Sequence, residues 1–167
     1  MSVSGSSPVE INGWSLFAHP LFLDQLEDLL AQVEQLRQKY PEDYPKKNAA
    51  KRLAAIAKLV FEIIPQDPTR REYRQGKTLG EDYKHWCRAK FFQQYRLFFR
   101  YHLQSKLVVF AWVNDNRSKR AYGSKTDAYR VFQKMLDSDC PPDDWETLLE
   151  AAKRETTRLQ KAANTEL

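Results

Sequence analysis

Cysteine is nearly missing from this 167-residue chain, and the two copies, Cys87 and Cys140, lie far apart. They make neither a disulfide framework nor a CxxC pair suited to zinc. Histidine is also scarce, with three copies, none within helical reach of another, which argues against a His-rich metal site. Long apolar runs are lacking too. The longest spans residues 107–113, whereas a membrane-spanning helix needs about 20 such residues. Residues 1–10 hold no basic cluster followed by an apolar stretch, so no secretory signal is read there. The expected setting is the reducing cytoplasm, with no membrane contact. Internal repeats and low-complexity segments are likewise missing.

What is plentiful is apolar and aromatic surface. Hydrophobic residues make up 42% and aromatics 13%, enough at this length for one domain with a core. The net charge is +5, from 27 Lys+Arg and 22 Asp+Glu, and it is unevenly spread. Residues 70–130 carry 15 Lys+Arg against 5 Asp+Glu, so the rest of the chain is acidic on balance. A solvated face and a polyanionic partner both account for such a block.

Residues 1–10 read as a disordered tail and residues 11–167 as a single domain. A short strand is predicted over 12–18, after an Asn-Gly turn signal. From Pro20, apolar residues at Phe22, Leu26, Leu29, Leu30, Val33 and Leu36 follow helical spacing up to Pro41. A second helical face, Leu53, Ile56, Val60 and Ile63, ends at Pro65, and the short link predicts a helical hairpin. Residues 66–84 read as loop. The period then drops to two, and 86–92, 95–102 and 106–113 predict a three-stranded antiparallel meander. Residues 125–136 read as helix, with Ala128, Phe132, Met135 and Leu136 as its stripe. A last helix, about 143–163, opens on Asp143 and Glu146 as a capping box. Its later half is polar, which predicts an end that is either mobile or reserved for a partner. The fold class is therefore α+β, a small antiparallel sheet with the helical hairpin packed on one face and helices at the C-terminus.

Alternation sorts the meander into two faces. Cys87, Ala89 and Phe91 share one side with Tyr95, Leu97, Phe99 and Tyr101. The other side carries Trp86, Arg88, Lys90, Arg96, Phe98, Arg100 and His102. If the helical pair covers the apolar side, the second side displays four cations among aromatic rings. Such cations either snorkel over the rings or form a phosphate groove flanked by rings on which bases stack. The loop after the third strand adds Arg117, Arg120 and Tyr122 at the sheet edge.

Several stretches taken in order carry a resemblance. They are Ala18-His19-Pro20, Gly76-Lys77-Thr78-Leu79-Gly80, Tyr95-Arg96-Leu97-Phe98-Phe99-Arg100-Tyr101 and Trp112-Val113-Asn114-Asp115. Tyr122-Gly123-Ser124-Lys125-Thr126-Asp127-Ala128-Tyr129 and Pro141-Pro142-Asp143-Asp144-Trp145 complete the set. Over nearly its whole length the chain resembles the YhaV toxins of type II toxin–antitoxin systems, in the RelE/ParE fold superfamily. The resemblance implies a RelE-like fold and an endoribonuclease that cleaves mRNA, on or off the ribosome, without metal or other cofactor. It also implies neutralisation by a PrlF-type antitoxin with an AbrB-like DNA-binding domain, and contact with operator DNA only through that complex. Carried over by motif, Arg88 and Arg96 are the leading catalytic candidates, followed by Lys90 and Tyr122. Arg100, Arg117, Arg120, Lys77, Trp86, Phe98, His85 and His102 are assigned to RNA binding. One departure is that the His-Arg pair ending the last strand in many RelE-like toxins is replaced here by Asn114-Asp115. The turn between the first two meander strands also reads Gln93-Gln94 where a glycine is common.

RNA carries its own nucleophile, so alignment and charge neutralisation suffice for catalysis. The expected chemistry is attack of the 2′-OH on the adjacent phosphate, with Arg88 and Arg96 stabilising the pentavalent phosphorane. A lysine crowded by cations gives up its proton more readily, which makes Lys90 a candidate base. His85 and His102 are alternatives, since imidazoles titrate near neutrality. Tyr122 is expected to orient the phosphate or stack on a base. Two other readings fit the same pattern: a ParE-like protein that poisons gyrase by protein contact, and an RNA-binding module without catalysis.

Overall fold

The computed structural model describes residues 7–115, 118, 124 and 127–165. An N-terminal hairpin pairs β1 (Val9–Ile11) with β2 (Trp14–Ala18). Its two-residue turn is Asn12-Gly13, both at positive φ (53° and 82°), the geometry that matches strand twist. The hairpin therefore begins two residues inside the segment read as a tail.

Helix α1 (Pro20–Lys39) follows at once. His19 caps it, its Nδ1 accepting a hydrogen bond from Leu21 N at 3.1 Å, and Pro20 takes the first helical position. Burial pushes the His19 imidazole below its ordinary value, against the opposing pull of Asp24. Helix α2 (Asn48–Lys58) continues through a π turn at Leu59–Ile63. The meander is β3 (Cys87–Phe91), β4 (Tyr95–His102) and β5 (Leu107–Val113). Helices α3 (Ala128–Asp137), α4 (Trp145–Lys153) and α5 (Thr156–Ala163) complete the chain.

The sheet has five strands in the order β1-β2-β5-β4-β3. It is mixed, not antiparallel throughout, because β2 runs parallel to β5, from Ser15 opposite Leu107 to Ala18 opposite Phe110. A bulge between Phe98 and Phe99 shifts the β4–β5 register, so Ala111 and Trp112 both face the same core.

Helices cover both faces, which corrects the expectation of an open second face. One core joins α1, α2 and α5 to Leu16, Leu97, Phe99, Val108 and Phe110. The other joins α3 and α4 to Phe17, Trp86, Phe98, Val109 and Trp112. The helix stripe predicted from Phe132 and Leu136 is the lid of this second core: Phe132 stacks on Phe98 (4.3 Å) and Trp112 (5.5 Å).

The last helical segment is two helices, not one. Asp144, not Asp143, caps α4, accepting from Thr147 N at 3.0 Å. The helix breaks at Arg154 and Glu155, and the break carries the chain from one face of the sheet to the other. Leu148, Leu149 and Ala152 of α4 enter the second core, whereas Leu159 and Ala162 of α5 enter the first. The polar surface of α5 is tied down by Arg158, which bonds Glu27 (2.7 Å) and Asp24 (2.6 Å) of α1.

Candidate active site

Strands β3 and β4 pair so that Lys90 stands opposite Arg96 and Arg88 opposite Phe98. All three cations lie on the face shared with α3. Asp127 caps α3, accepting from Tyr129 N at 3.1 Å, and this places Tyr129 in the first turn above Phe98 (ring centroids 5.6 Å apart, edge to face). The Tyr129 hydroxyl oxygen then accepts from Arg88 Nε at 2.9 Å and from Arg96 Nε at 3.1 Å. One phenol thus brings both guanidinium groups together.

The remaining bonds fix each guanidinium in plane. Arg88 Nη1 donates to the carbonyls of Glu72 (2.7 Å) and Arg74 (3.0 Å). Arg96 Nη1 donates to Gln93 O (2.7 Å) and Tyr95 O (2.9 Å). Among the described residues neither Nη2 has a partner, and neither arginine has a carboxylate within salt-bridge distance. Arg96 is only 7% exposed. A buried cation held by carbonyls and a phenol, with no carboxylate partner among the described residues, keeps a positive field that favours an incoming anion. Lys90 is exposed beside it.

Asn114, at the end of β5, is fully buried and makes three side-chain hydrogen bonds. Its Oδ1 accepts from Arg96 N (2.6 Å), and its Nδ2 donates to Gln94 O (2.9 Å) and Ser118 O (2.8 Å). It is a clamp between the start of β4 and the end of β5. A side-chain amide is neither an acid nor a base at neutral pH, so Asn114 moves no proton.

The other assigned residues do not join this array. Trp86 and Phe98 are fully buried in the second core, so their rings are unavailable to bases, correcting the stacking expectation. Arg100 lies four residues from Arg96 along β4, about 13 Å at the usual strand rise. Its guanidinium sits between Trp86 (5.5 Å) and Trp145 (5.2 Å) and donates to Asp143 O at 2.5 Å. Burial lowers its pKa, with Asp143 opposing.

Asp143 Oδ1 also meets His85 Nε2 at 2.6 Å and accepts from Trp86 Nε1 at 2.8 Å. His102 stacks on Trp145 with centroids 5.9 Å apart. These groups form a brace that holds the start of α4 to the sheet. Lys77 is on the surface, paired with Glu81 at 2.9 Å. Arg117, Arg120 and Tyr122 lie outside the described residues.

A family profile described as "Toxin with endonuclease activity, of toxin-antitoxin system" matches residues 16–153. The chain belongs to the YhaV toxin family. "Ribonuclease toxin YhaV" of Escherichia coli (strain K12) is 48% identical over 143 residues, covering 84% of this chain and 93% of that protein. "Toxin YhaV" of Escherichia coli O157:H7 gives the same figures, and that of Escherichia coli O6:H1 is 47% identical. No solved structure matches. As a member of the YhaV family the chain is an endonuclease toxin.

Within this YhaV-family fold, Tyr129 is the residue of the site that was missed in the sequence, whereas Asn114 stood out there as a departure. Tyr129 lies three residues before Phe132, a spacing that puts both on one helix face and was the signal available for it.

Proposed function

We propose that the paired arginines grip a phosphodiester of mRNA and that the chain cleaves it without metal. The 2′ oxygen forms a bond to phosphorus and the bond to the 5′ oxygen breaks, leaving a 2′,3′-cyclic phosphate and a 5′-hydroxyl. Arg88 and Arg96 present their Nη2 groups to the non-bridging oxygens and stabilise the charge of the phosphorane. Lys90, beside the arginines, is the candidate to take the 2′ proton, and water delivers a proton to the departing 5′ oxygen. Among the described residues no three His, Cys, Asp or Glu side chains converge as metal ligands. In this mechanism the two guanidinium groups supply the positive charge.

The observation that carries the reading is the single Tyr129 oxygen bonded to both guanidinium Nε atoms. It holds two cations on one oxygen before substrate arrives, which lowers the reorganisation cost of the chemical step. Cellular neutralisation belongs to the same proposal. A PrlF-type antitoxin with an AbrB-like domain binds the chain, and the complex represses its own operon.

The test uses purified chain and a labelled RNA oligonucleotide in excess EDTA. A 2′,3′-cyclic phosphate end, lost in Arg88→Ala with the fold retained, is the expected result. A 5′-phosphate product, a requirement for divalent metal, or full activity of Arg88→Ala would overturn the mechanism. Intact RNA with poisoned gyrase in the parallel assay would replace it by the gyrase reading.

A further inference from the structure

A roomy groove elsewhere on the protein has no part in that site. It is a groove of about 1310 Å3 on the far face of the sheet, walled by α1, α2 and α5. Leu30 and Val33 of α1, Ala54 of α2 and Ala162 of α5 line it, and Phe92 joins them from the β3–β4 turn. Phe92 is 51% exposed and its backbone sits at φ 46°, an unfavourable region for a bulky residue. The turn thus holds a large apolar ring out of the core and into the groove.

Charge surrounds this apolar floor unevenly. Glu27 and Glu34, the two acids of the lining, are taken by Arg158 and Arg37. Lys51 and Lys58 of α2 and Lys161 of α5 are exposed and form no salt bridge among the described residues. The groove is therefore apolar inside and basic at its rim.

We propose that this groove is the docking site for an acidic amphipathic helix of the antitoxin. The proposal rests on the reading that a protein antitoxin neutralises the chain. The volume exceeds the usual range of small-molecule pockets, roughly 300–1,000 Å3, and three helical walls around an apolar trough suit a helix laid lengthwise. A rim of unpaired lysines selects carboxylates on the flanks of that helix. A second copy of this chain is disfavoured by the same rim, because a two-fold contact would set the lysines against their own images. RNA is disfavoured because an alanine- and leucine-lined floor offers nothing to a phosphate backbone.

The experiment is calorimetric titration of the full chain with the purified cognate antitoxin, alongside RNA cleavage by each variant. Lys51→Glu/Lys58→Glu/Lys161→Glu should weaken binding at least tenfold and flatten its dependence on salt. Ala54→Arg, at an exposed helical position that tolerates arginine, should weaken it at least a hundredfold. Both variants should cleave RNA at the wild-type rate, which shows that they are folded. Wild-type affinity in both would overturn the groove while leaving antitoxin neutralisation intact. A wild-type chain that ignores the antitoxin would overturn both. A dimer of the chain alone, dispersed by Ala54→Arg in light scattering, would assign the groove to a second copy instead.

Discussion

Removal of one oxygen atom tests the geometry of the site most directly. In Tyr129→Phe the ring keeps its place above Phe98, but the acceptor shared by Arg88 Nε and Arg96 Nε is gone. Hydrogen bonds to a charged group contribute about 1.5–3 kcal/mol each when no water replaces them. Arg88 is half-buried and recovers its bond from solvent, whereas Arg96 is buried and does not. The net loss is thus about 2 kcal/mol, or roughly 4–8 °C in Tm for a chain of this length.

Activity should suffer more than stability. The two guanidinium groups lose their common anchor, and a displacement of about 1 Å at a reacting centre costs on the order of 100-fold in rate. The expected result is kcat down about 100-fold with KM nearly constant, since both cations remain to attract RNA. Tyr73→Phe is the matched comparison. Tyr73 is also buried, but its hydroxyl has no partner among the described residues, so its removal should leave Tm unchanged or higher. Thermal melts and single-turnover cleavage of an RNA oligonucleotide measure both effects. If Tyr129→Phe melts and cleaves like the wild type, the shared phenol does not organise the site.

Two further outcomes follow from buried titratable groups. Because burial holds the His19 imidazole below its ordinary 6.5, protonation favours the unfolded chain; the stability it contributes is present above pH 6.5 and is lost as pH falls through the depressed value. The wild type should therefore lose more Tm between pH 7.5 and 5.5 than His19→Asn, which keeps a capping acceptor; equal losses would contradict this account. Burial also pushes the Cys87 thiol up to about 11, while Cys140 is exposed. Iodoacetamide should modify Cys140 alone in the native chain and both thiols after denaturation, as mass spectrometry would show; rapid native labelling of Cys87 would contradict its burial.

The sequence reveals the two faces of β3 and β4 correctly, because strict alternation leaves little freedom once a strand is recognised. Arg88, Lys90, Arg96 and Arg100 do share the face opposite Leu97 and Phe99. What the pattern does not reveal is how that face is closed. An amphipathic helix advertises an apolar stripe but not the surface it will meet, so the Phe132 stripe gave no address. Trp86, Phe98 and Trp112 were the clue: large rings on neighbouring strands line up as the floor of a second core more readily than as a platform for bases. That closure divides the cations, leaving Arg88 and Arg96 around Tyr129 and drawing Arg100 into the brace at Asp143. The parallel pairing of β2 with β5 was illegible for a different reason. Its partners are some ninety residues apart in sequence, and no local pattern records such an encounter.

That distant pairing, together with the crossing of the chain between α4 and α5, has a consequence for biosynthesis. The middle of the sheet cannot form before β5 has emerged, and the two cores acquire their final walls only from the last two helices. A nascent or truncated polypeptide should consequently lack the two walls that hold Arg88 and Arg96 in place, and toxicity is expected only once α5 has packed. Nonsense mutations anywhere upstream of α5 should accordingly yield harmless fragments, cleared by proteolysis rather than retained as weakened poisons.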